Sequence, residues 1–206
     1  MHQLTAQAQS SLFRLKEGNV RFMNNQSINS GQQSTLRRKG LVAGQAPFAI
    51  ILGCSDSRVP AEFVFDQDLG DLFVIRIAGN VVAASQIGSI EFAIEAFGCP
   101  LVIVMGHTHC GAISATVKEL QQPVENRSKY LQSIVDRIRP CVDQLLKTDL
   151  KNDHLKLEQA AGRANVEASV NQLEHSSSLI ETAIQGGALS IIGAEYDLET
   201  GHVDFF

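Results

Sequence analysis

Four short segments rich in branched apolar residues recur along the chain and constrain its fold more than any other feature. They span residues 48–52, 71–78, 101–105 and 189–194. Each is too short for a core helix, and apolar side chains on both faces are typical of strands in a parallel sheet covered by helices. Between them lie segments with helical spacing, such as 85–97 with Gly98 at its end. This alternation predicts the α/β class, with a mostly parallel central sheet of four strands and helices on both faces.

The remaining segments extend this fold at both ends. We expect helices over residues 8–23 and 60–65, from Cys110 onward, and across much of 130–146 and 155–184, with a C-terminal edge strand over 202–206. Residues 1–40 are interpreted as an N-terminal helical arm of the same domain, and residues 41–206 as the α/β domain that carries the function. No dinucleotide-binding glycine fingerprint or Walker-type phosphate loop occurs, so the motifs do not support nucleotide binding.

The composition is that of a globular protein, with 44% hydrophobic and 19% charged residues, and this excludes general disorder. No apolar run approaches the roughly 20 residues of a membrane-spanning helix, and the N-terminus lacks the basic start and apolar stretch of a secretory signal. We therefore expect a cytoplasmic protein with no membrane partner. In that compartment, four scattered cysteines favour reduced thiols or metal ligands over disulfides.

Charge is unevenly distributed along the chain. The net charge of -5 argues against nucleic acid as a partner. Residues 1–41 carry six basic side chains and one acidic one, which places +5 on this segment and -10 on the remainder. This split favours packing of the arm on an acidic surface, either its own body or a second subunit. Ordinary charge scatter on a solvated helix is the alternative.

Chemically reactive side chains follow the first and third apolar segments abruptly. Cys54, Asp56 and Arg58 come after the first segment, and His107 and Cys110 come after the third. Ligands of open parallel sheets bind outside the carboxyl ends of the strands, so the two groups meet if these strands are neighbours. Two thiolates and one imidazole with an open fourth position form a catalytic zinc set. Small buried cysteines and a hydrogen-bonded core histidine are the alternative, although a charged pair in this loop favours the metal site.

In combination, these motifs resemble the β-class carbonic anhydrases. The likeness extends from about Leu15 to the C-terminus and is carried by Cys-Ser-Asp-Ser-Arg at 54–58, Gly-His-Thr-His-Cys-Gly at 106–111, and the connecting segments 70–76 and 88–93. It implies one Zn²⁺ per chain, held by Cys54, His107 and Cys110. It also implies an obligate homodimer, or a homotetramer built from dimers, whose N-terminal helices embrace the neighbouring subunit and whose active sites lie at the interface.

The activity that the resemblance implies is reversible hydration of carbon dioxide to bicarbonate and a proton by a zinc-bound hydroxide. Asp56 would orient the hydroxide, and Arg58 would keep Asp56 ionised and in place. Carbon dioxide, bicarbonate and water are the expected small-molecule partners. The implied substrate pocket consists of Gln45, Phe73, Phe92 and Gly111.

A second state is known in some members of this family, in which the aspartate moves onto the metal while bicarbonate occupies a nearby pocket. That pocket uses a tryptophan, an arginine and a tyrosine. Arg76 and Tyr196 match two of the three, but Ile51 stands at the tryptophan position, so the pocket is interpreted as vestigial. We expect the open state, with Asp56 away from the metal. His109, beside the metal motif, is interpreted either as a proton shuttle or as a solvent-facing histidine.

Two other functions fit the same zinc site. Relatives hydrolyse carbon disulfide or carbonyl sulfide, which are as linear and apolar as carbon dioxide. A non-catalytic, bicarbonate-sensing zinc protein is the other alternative, and the intact set of three ligands with Asp56 and Arg58 argues against it. Cys99 and Cys141 are interpreted as small buried packing residues.

Overall fold

A central sheet organises the molecule, which is described by a computed structural model for residues 4–28, 35–121 and 128–206. Its strands are β1 (Ala49–Gly53), β2 (Leu72–Arg76), β3 (Leu101–His107), β4 (Ser190–Tyr196) and β5 (Val203–Phe205). They lie in the order β2-β1-β3-β4-β5. Strands β1 to β4 run parallel to one another, and β5 is antiparallel to β4. The predicted sheet and its edge strand are confirmed.

The sequence does not predict the short helix at residues 35–40, and the other helices lie within a few residues of their predicted positions. They are α1 (Ala6–Met23), α2 (Thr35–Gly40), α3 (Ala61–Val64), α4 (Ala84–Phe97), α5 (Gly111–Gln121), α6 (Lys129–Leu145), α7 (His154–Glu174) and α8 (Ser178–Gln185). The segment 155–184 forms two helices, because the Ser177 side chain accepts a hydrogen bond from the Ile180 N–H and starts α8. Among the described helices, none has the length and apolar character needed to span a membrane.

Both faces of the sheet are buried, which explains the continuous apolar segments. Ile51 and Ile103 belong to one core cluster, and their neighbours Ile50 and Val102 belong to a second cluster. The first cluster is completed by residues of α1, α3, α5, α6 and the first half of α7. The second is completed by residues of α4, the remainder of α7, and α8. The predicted covering of both faces by helices is therefore confirmed.

Helix α1 packs closely against its own chain. Leu15 is fully buried in the first core cluster. A Cβ atom at Gly18 would lie 1.7 Å from the Phe65 carbonyl oxygen, so this close approach requires glycine. The buried Asn19 side chain donates to the carbonyl oxygen of Gly201 at 2.8 Å and also accepts from the strand β5 backbone. These contacts fix α1 to both α3 and the C-terminal hairpin.

Three of the basic side chains of the arm pair with acids of the same chain. Arg14 and Arg37 both contact Asp71, at 2.7 and 3.0 Å, and Arg21 contacts the buried Asp66 at 2.5 Å. The sequence left two acidic surfaces open for the arm, its own body or a second subunit. The described part of the arm contacts its own body. Contact with a partner subunit stays a prediction, and it would use the outward face of α1. Residues 1–3 and 29–34 of the predicted arm lie outside the described residues.

Candidate metal centre

Two adjacent parallel strands bring the predicted metal ligands together. In the β1–β3 register, Gly53 lies beside Met105, so the carboxyl ends of both strands meet at one edge of the sheet. Cys54 directly follows β1, His107 ends β3, and Cys110 precedes α5. Their ligand atoms all lie within 4.8 Å of one another, and all three residues are buried. The strand adjacency that the metal hypothesis required is therefore present.

The hydrogen bonding of His107 leaves one ring nitrogen suited to a metal. Nδ1 lies 2.8 Å from the Thr108 carbonyl oxygen, which can only accept, so the proton belongs on Nδ1. Nε2 then carries a lone pair, and it is buried without a hydrogen-bond partner. A histidine that is oriented by a carbonyl through one nitrogen and free at the other is typical of metal ligands.

The contact between the Cys54 and Cys110 sulfurs favours ionisation of Cys54. A hydrogen bond from Cys110, opposed by burial, lowers the pKa of Cys54 to about 4. The same contact, together with burial, raises the pKa of Cys110. Cys54 is therefore ready to ligate as a thiolate, and a metal ion would displace the proton that Cys110 holds. Two sulfurs and one imidazole nitrogen suit Zn²⁺, so these residues fit the implied metal.

Asp56 and Arg58 form a two-point ion pair beside these ligands. The Arg58 side chain donates from Nε to Oδ1 of Asp56 at 2.9 Å and from Nη2 to Oδ2 at 2.7 Å. These bonds, with one from the Arg58 backbone, hold the pKa of Asp56 well below its usual range. Asp56 Oδ2 lies 4.0 Å from Nε2 of His107. The carboxylate is thus ionised, held by Arg58 and adjacent to the metal-binding atoms.

Arg76 has a contact that sequence reasoning missed. Its Nε donates to the carbonyl oxygen of Cys54 at 3.0 Å, and its Nη2 donates to that of Asp56 at 2.5 Å. The guanidinium therefore holds the loop that carries a metal ligand and the dyad. Tyr196 is buried on β4, and two strands separate it from Arg76 on β2. The vestigial bicarbonate site at these residues stays a prediction.

Three of the four predicted pocket residues lie away from the metal ligands of their own chain. Gln45 is exposed and precedes β1, whereas Cys54 follows that strand, whose five residues span roughly 16 Å. Phe73 packs with Phe92 on the second face of the sheet, with ring centroids 6.2 Å apart. Gly111 does lie beside Cys110, as the first residue of α5.

A small cavity adjoins the metal ligands. It has a volume of about 30 Å³ and is lined in part by His107, Cys110, the exposed His109, Glu158 and Glu195. A cavity of this size holds about two water molecules. Burial raises the pKa of Glu195, and the positive charge of Arg163 partly offsets this rise. Sequence reasoning missed both glutamates, because only the pairing of β4 with β3 and the packing of α7 bring them here. The shuttle role of His109 stays a prediction.

Cys99 and Cys141 lie apart from this group. The Cys99 thiol donates to the Pro47 carbonyl oxygen at 3.1 Å, and burial raises its pKa to about 11. Burial likewise raises the pKa of Cys141, whose sulfur faces the Ala164 carbonyl oxygen. Both are protonated packing residues, and Cys99 is buried as predicted, whereas Cys141 is only half-buried.

Comparisons with known proteins agree with this fold and site. A family model described as carbonic anhydrase matches residues 49–203. Carbonic anhydrase 2 of Mycobacterium tuberculosis is 41% identical over 187 residues, covering 91% of this chain and 87% of that protein. The chain belongs to the carbonic anhydrase family of enzymes.

Solved structures of β-carbonic anhydrases share this fold. A β-carbonic anhydrase of the fungus Aspergillus fumigatus superposes with a TM-score of 0.74 at 24% identity, covering 96% of this chain and 89% of that one. A tetrameric β-carbonic anhydrase of Sordaria macrospora gives a TM-score of 0.72 at 22% identity, covering 96% and 97%. The α/β fold described above is thus the fold of the β-carbonic anhydrases.

Proposed function

We propose that this chain catalyses the reversible hydration of carbon dioxide to bicarbonate and a proton, with one Zn²⁺ ion held by Cys54, His107 and Cys110. The convergence of these three ligand atoms within 4.8 Å, in a chain of this family, carries the proposal. The buried, unpartnered Nε2 of His107 supports it further, because such an atom is otherwise costly to bury.

The bound metal would supply a water molecule acidified enough to serve as the nucleophile near neutral pH. Asp56 would accept a hydrogen bond from that water and so direct it toward the substrate carbon. Arg58 holds the carboxylate ionised and oriented through its two-point contact. The open state, with Asp56 away from the metal, is part of this proposal.

A second copy of the chain would complete the pocket. An uncharged linear substrate requires an apolar wall, and the predicted wall residues Phe73 and Phe92 lie away from the ligands of their own chain. Phe92 is 55% exposed, and β2 forms one edge of the sheet. A partner's phenylalanines can therefore serve this chain's metal centre, which makes the homodimer or homotetramer the functional unit. The tetrameric Sordaria relative supports assembly of this kind.

Replacing one ligand tests the function directly. We expect Cys54→Ser to lose stoichiometric zinc and carbon dioxide hydration, because serine does not supply a thiolate. The matched control is Cys99→Ser, another buried cysteine, which should keep zinc and turnover. Zinc is measured by elemental analysis and hydration by stopped-flow with a pH indicator. Full hydration activity in Cys54→Ser would contradict the proposed metal centre.

A further inference from the structure

A backbone amide approaches the sulfur of one metal ligand. The turn at residues 78–80, which follows β2, places the Gly79 N–H 3.3 Å from Sγ of Cys54 in a buried position. The bond is one of the contacts that lower the pKa of Cys54. Because the amide belongs to the backbone, the sequence pattern of metal ligands gives no sign of it. The position of this amide depends on what holds the turn.

Helix α7 holds the turn from the other side of Gly79. The Asn165 side chain is buried, and its Nδ2 donates to the Gly79 carbonyl oxygen at 2.8 Å. Ser169, one helical turn further on, donates from Oγ to the Asn80 carbonyl oxygen at 3.3 Å. The Gly79 amide and carbonyl lie on successive peptide planes that meet at its Cα, so fixing the carbonyl restricts the direction of the amide.

The conformation of Gly79 leaves little freedom for another arrangement. Its φ is 68°, in the left-handed region that favours glycine. A Cβ atom there would lie 2.9 Å from Cδ1 of Ile138 on α6 and 3.0 Å from Cβ of Ala112 on α5. The turn is therefore enclosed by α5, α6 and α7, and Asn165 supplies the polar contact that orients it.

We propose that Asn165 is a positioning residue for the metal centre, which acts by aligning the Gly79 N–H with the Cys54 sulfur. The inference rests on the proposed function, since Cys54 must be a metal ligand for the contact to matter. An amide that donates to a thiolate withdraws electron density from sulfur and fixes its direction. Outer partners of metal ligands typically change metal affinity or activity by about 10- to 100-fold. Asn165 thereby links α7 to the metal without touching it.

Cadmium-113 bound to the unaltered full-length protein tests the contact directly. Cadmium takes the place of zinc on thiolates, and scalar coupling through a hydrogen-bonded sulfur transfers magnetisation from the metal to the amide proton. We expect a proton–cadmium correlation at the Gly79 amide. A chain that binds one cadmium per site without this correlation would overturn the inference and leave the proposed metal centre intact. A chain that takes up no cadmium would overturn the metal centre itself.

Substitution of Asn165 tests the positioning role by metal binding and spectroscopy. Asn165→Leu keeps the branched shape of the side chain and removes the donor, and we expect zinc affinity, measured by chelator competition, to fall by about 10- to 100-fold. In the cobalt-loaded protein, the sulfur-to-metal charge-transfer band should move to longer wavelength, because sulfur regains electron density.

The control is Leu173→Ala, a fully buried residue further along α7 that touches neither Gly79 nor the ligands. It should lower thermal stability and leave affinity and the cobalt band unchanged. Equal losses of affinity in both variants would overturn the positioning role, as would an unchanged cobalt band in Asn165→Leu. Should Asn165→Leu fail to fold, the cadmium correlation in the unaltered protein decides the question.

Discussion

The four cysteines differ in what surrounds each sulfur. Cys54 and Cys110 contact each other beside His107, whereas Cys99 donates to a carbonyl oxygen and Cys141 lies between helices. The lowered pKa of Cys54 favours a thiolate there, whereas the raised pKa values of Cys99 and Cys141 favour thiols. A buried thiol becomes a ligand only where other donors and a metal can stabilise its charge.

Asp56 is the residue whose charge matters most to the proposed reaction. Asp56→Asn keeps the shape of the side chain, removes its charge and replaces one of its two acceptor oxygens with an N–H donor. We expect hydration to fall by about 100-fold or more while zinc content stays at one per chain, because the ligands are unchanged. Stopped-flow kinetics and elemental analysis measure the two quantities.

The matched control is Asp204→Asn, which breaks the exposed ion pair between Arg163 and Asp204 at 3.0 Å. It should leave turnover unchanged. Equal turnover in Asp56→Asn and the unaltered protein would remove Asp56 from the mechanism.

The ion pair with Arg58 also sets a pH dependence. Because the pKa of Asp56 in the folded protein lies below its ordinary value near 3.9, the pair stabilises the fold at pH values above about 4. This contribution is lost as pH falls toward the lowered pKa. Asp56 therefore stays ionised throughout the neutral range, and no acid limb of turnover near pH 6 arises from it.

Sequence reasoning named candidate side chains and missed backbone contacts. Cys54, His107 and Cys110 could be named as a candidate metal set because they follow two apolar strands, and the resemblance to the β-class carbonic anhydrases favoured this set over buried packing residues. The carbonyl contacts of Arg76 and the amide of Gly79 depend on how β2 lies beside β1. Backbone atoms are the same in every residue, so no motif marks them.

At the scale of elements, the docking of α1 depends on a single close approach. Gly18→Ala would force the helix away from the Phe65 carbonyl oxygen. We expect the free energy of unfolding to fall by about 1–3 kcal/mol, as for other overpacked positions. Denaturant titration at fixed protein concentration measures it.

Gly88→Ala in α4 is the matched control, because no atom lies within 4 Å of a Cβ there. This change should stabilise the chain by up to about 1 kcal/mol through helix propensity. If the two variants were equally stable, α1 would not pack as described.

The types and order of elements could be predicted from the sequence, because both sheet faces are buried and leave continuous apolar segments. The break between α7 and α8 could not, since apolar spacing continues across it and only the Ser177 cap marks it. The partner of the basic arm also needed the structure. Charge alone left two acidic surfaces open, and the structure shows α1 packed closely against Phe65 of its own chain, while contact with a partner subunit stays a prediction.

In the proposed homo-oligomer, two chains form each working site. Cys54→Ser removes one thiolate ligand and leaves the predicted pocket wall intact. The double variant Gln45→Ala, Phe92→Ala removes wall residues and leaves the metal ligands intact. We expect each homo-oligomer to be poorly active. Mixed oligomers, formed by refolding the two together, should recover activity, because one site then combines an intact metal centre with an intact wall.

Stopped-flow hydration of the mixture, compared with the average of the separate variants, measures this recovery. Activity equal to that average would contradict a shared site. Full activity of the Gln45→Ala, Phe92→Ala variant would remove both residues from the pocket.

The proposed hydration of carbon dioxide depends on one zinc ion at Cys54, His107 and Cys110. Its dependence on zinc is tested by removing the metal with a chelator and titrating zinc back while hydration is followed by stopped-flow. We expect negligible turnover without zinc and a linear rise that saturates at one zinc per chain. Turnover that is independent of zinc would contradict the proposed function. A lack of turnover when zinc fully occupies the three ligands would contradict it as well.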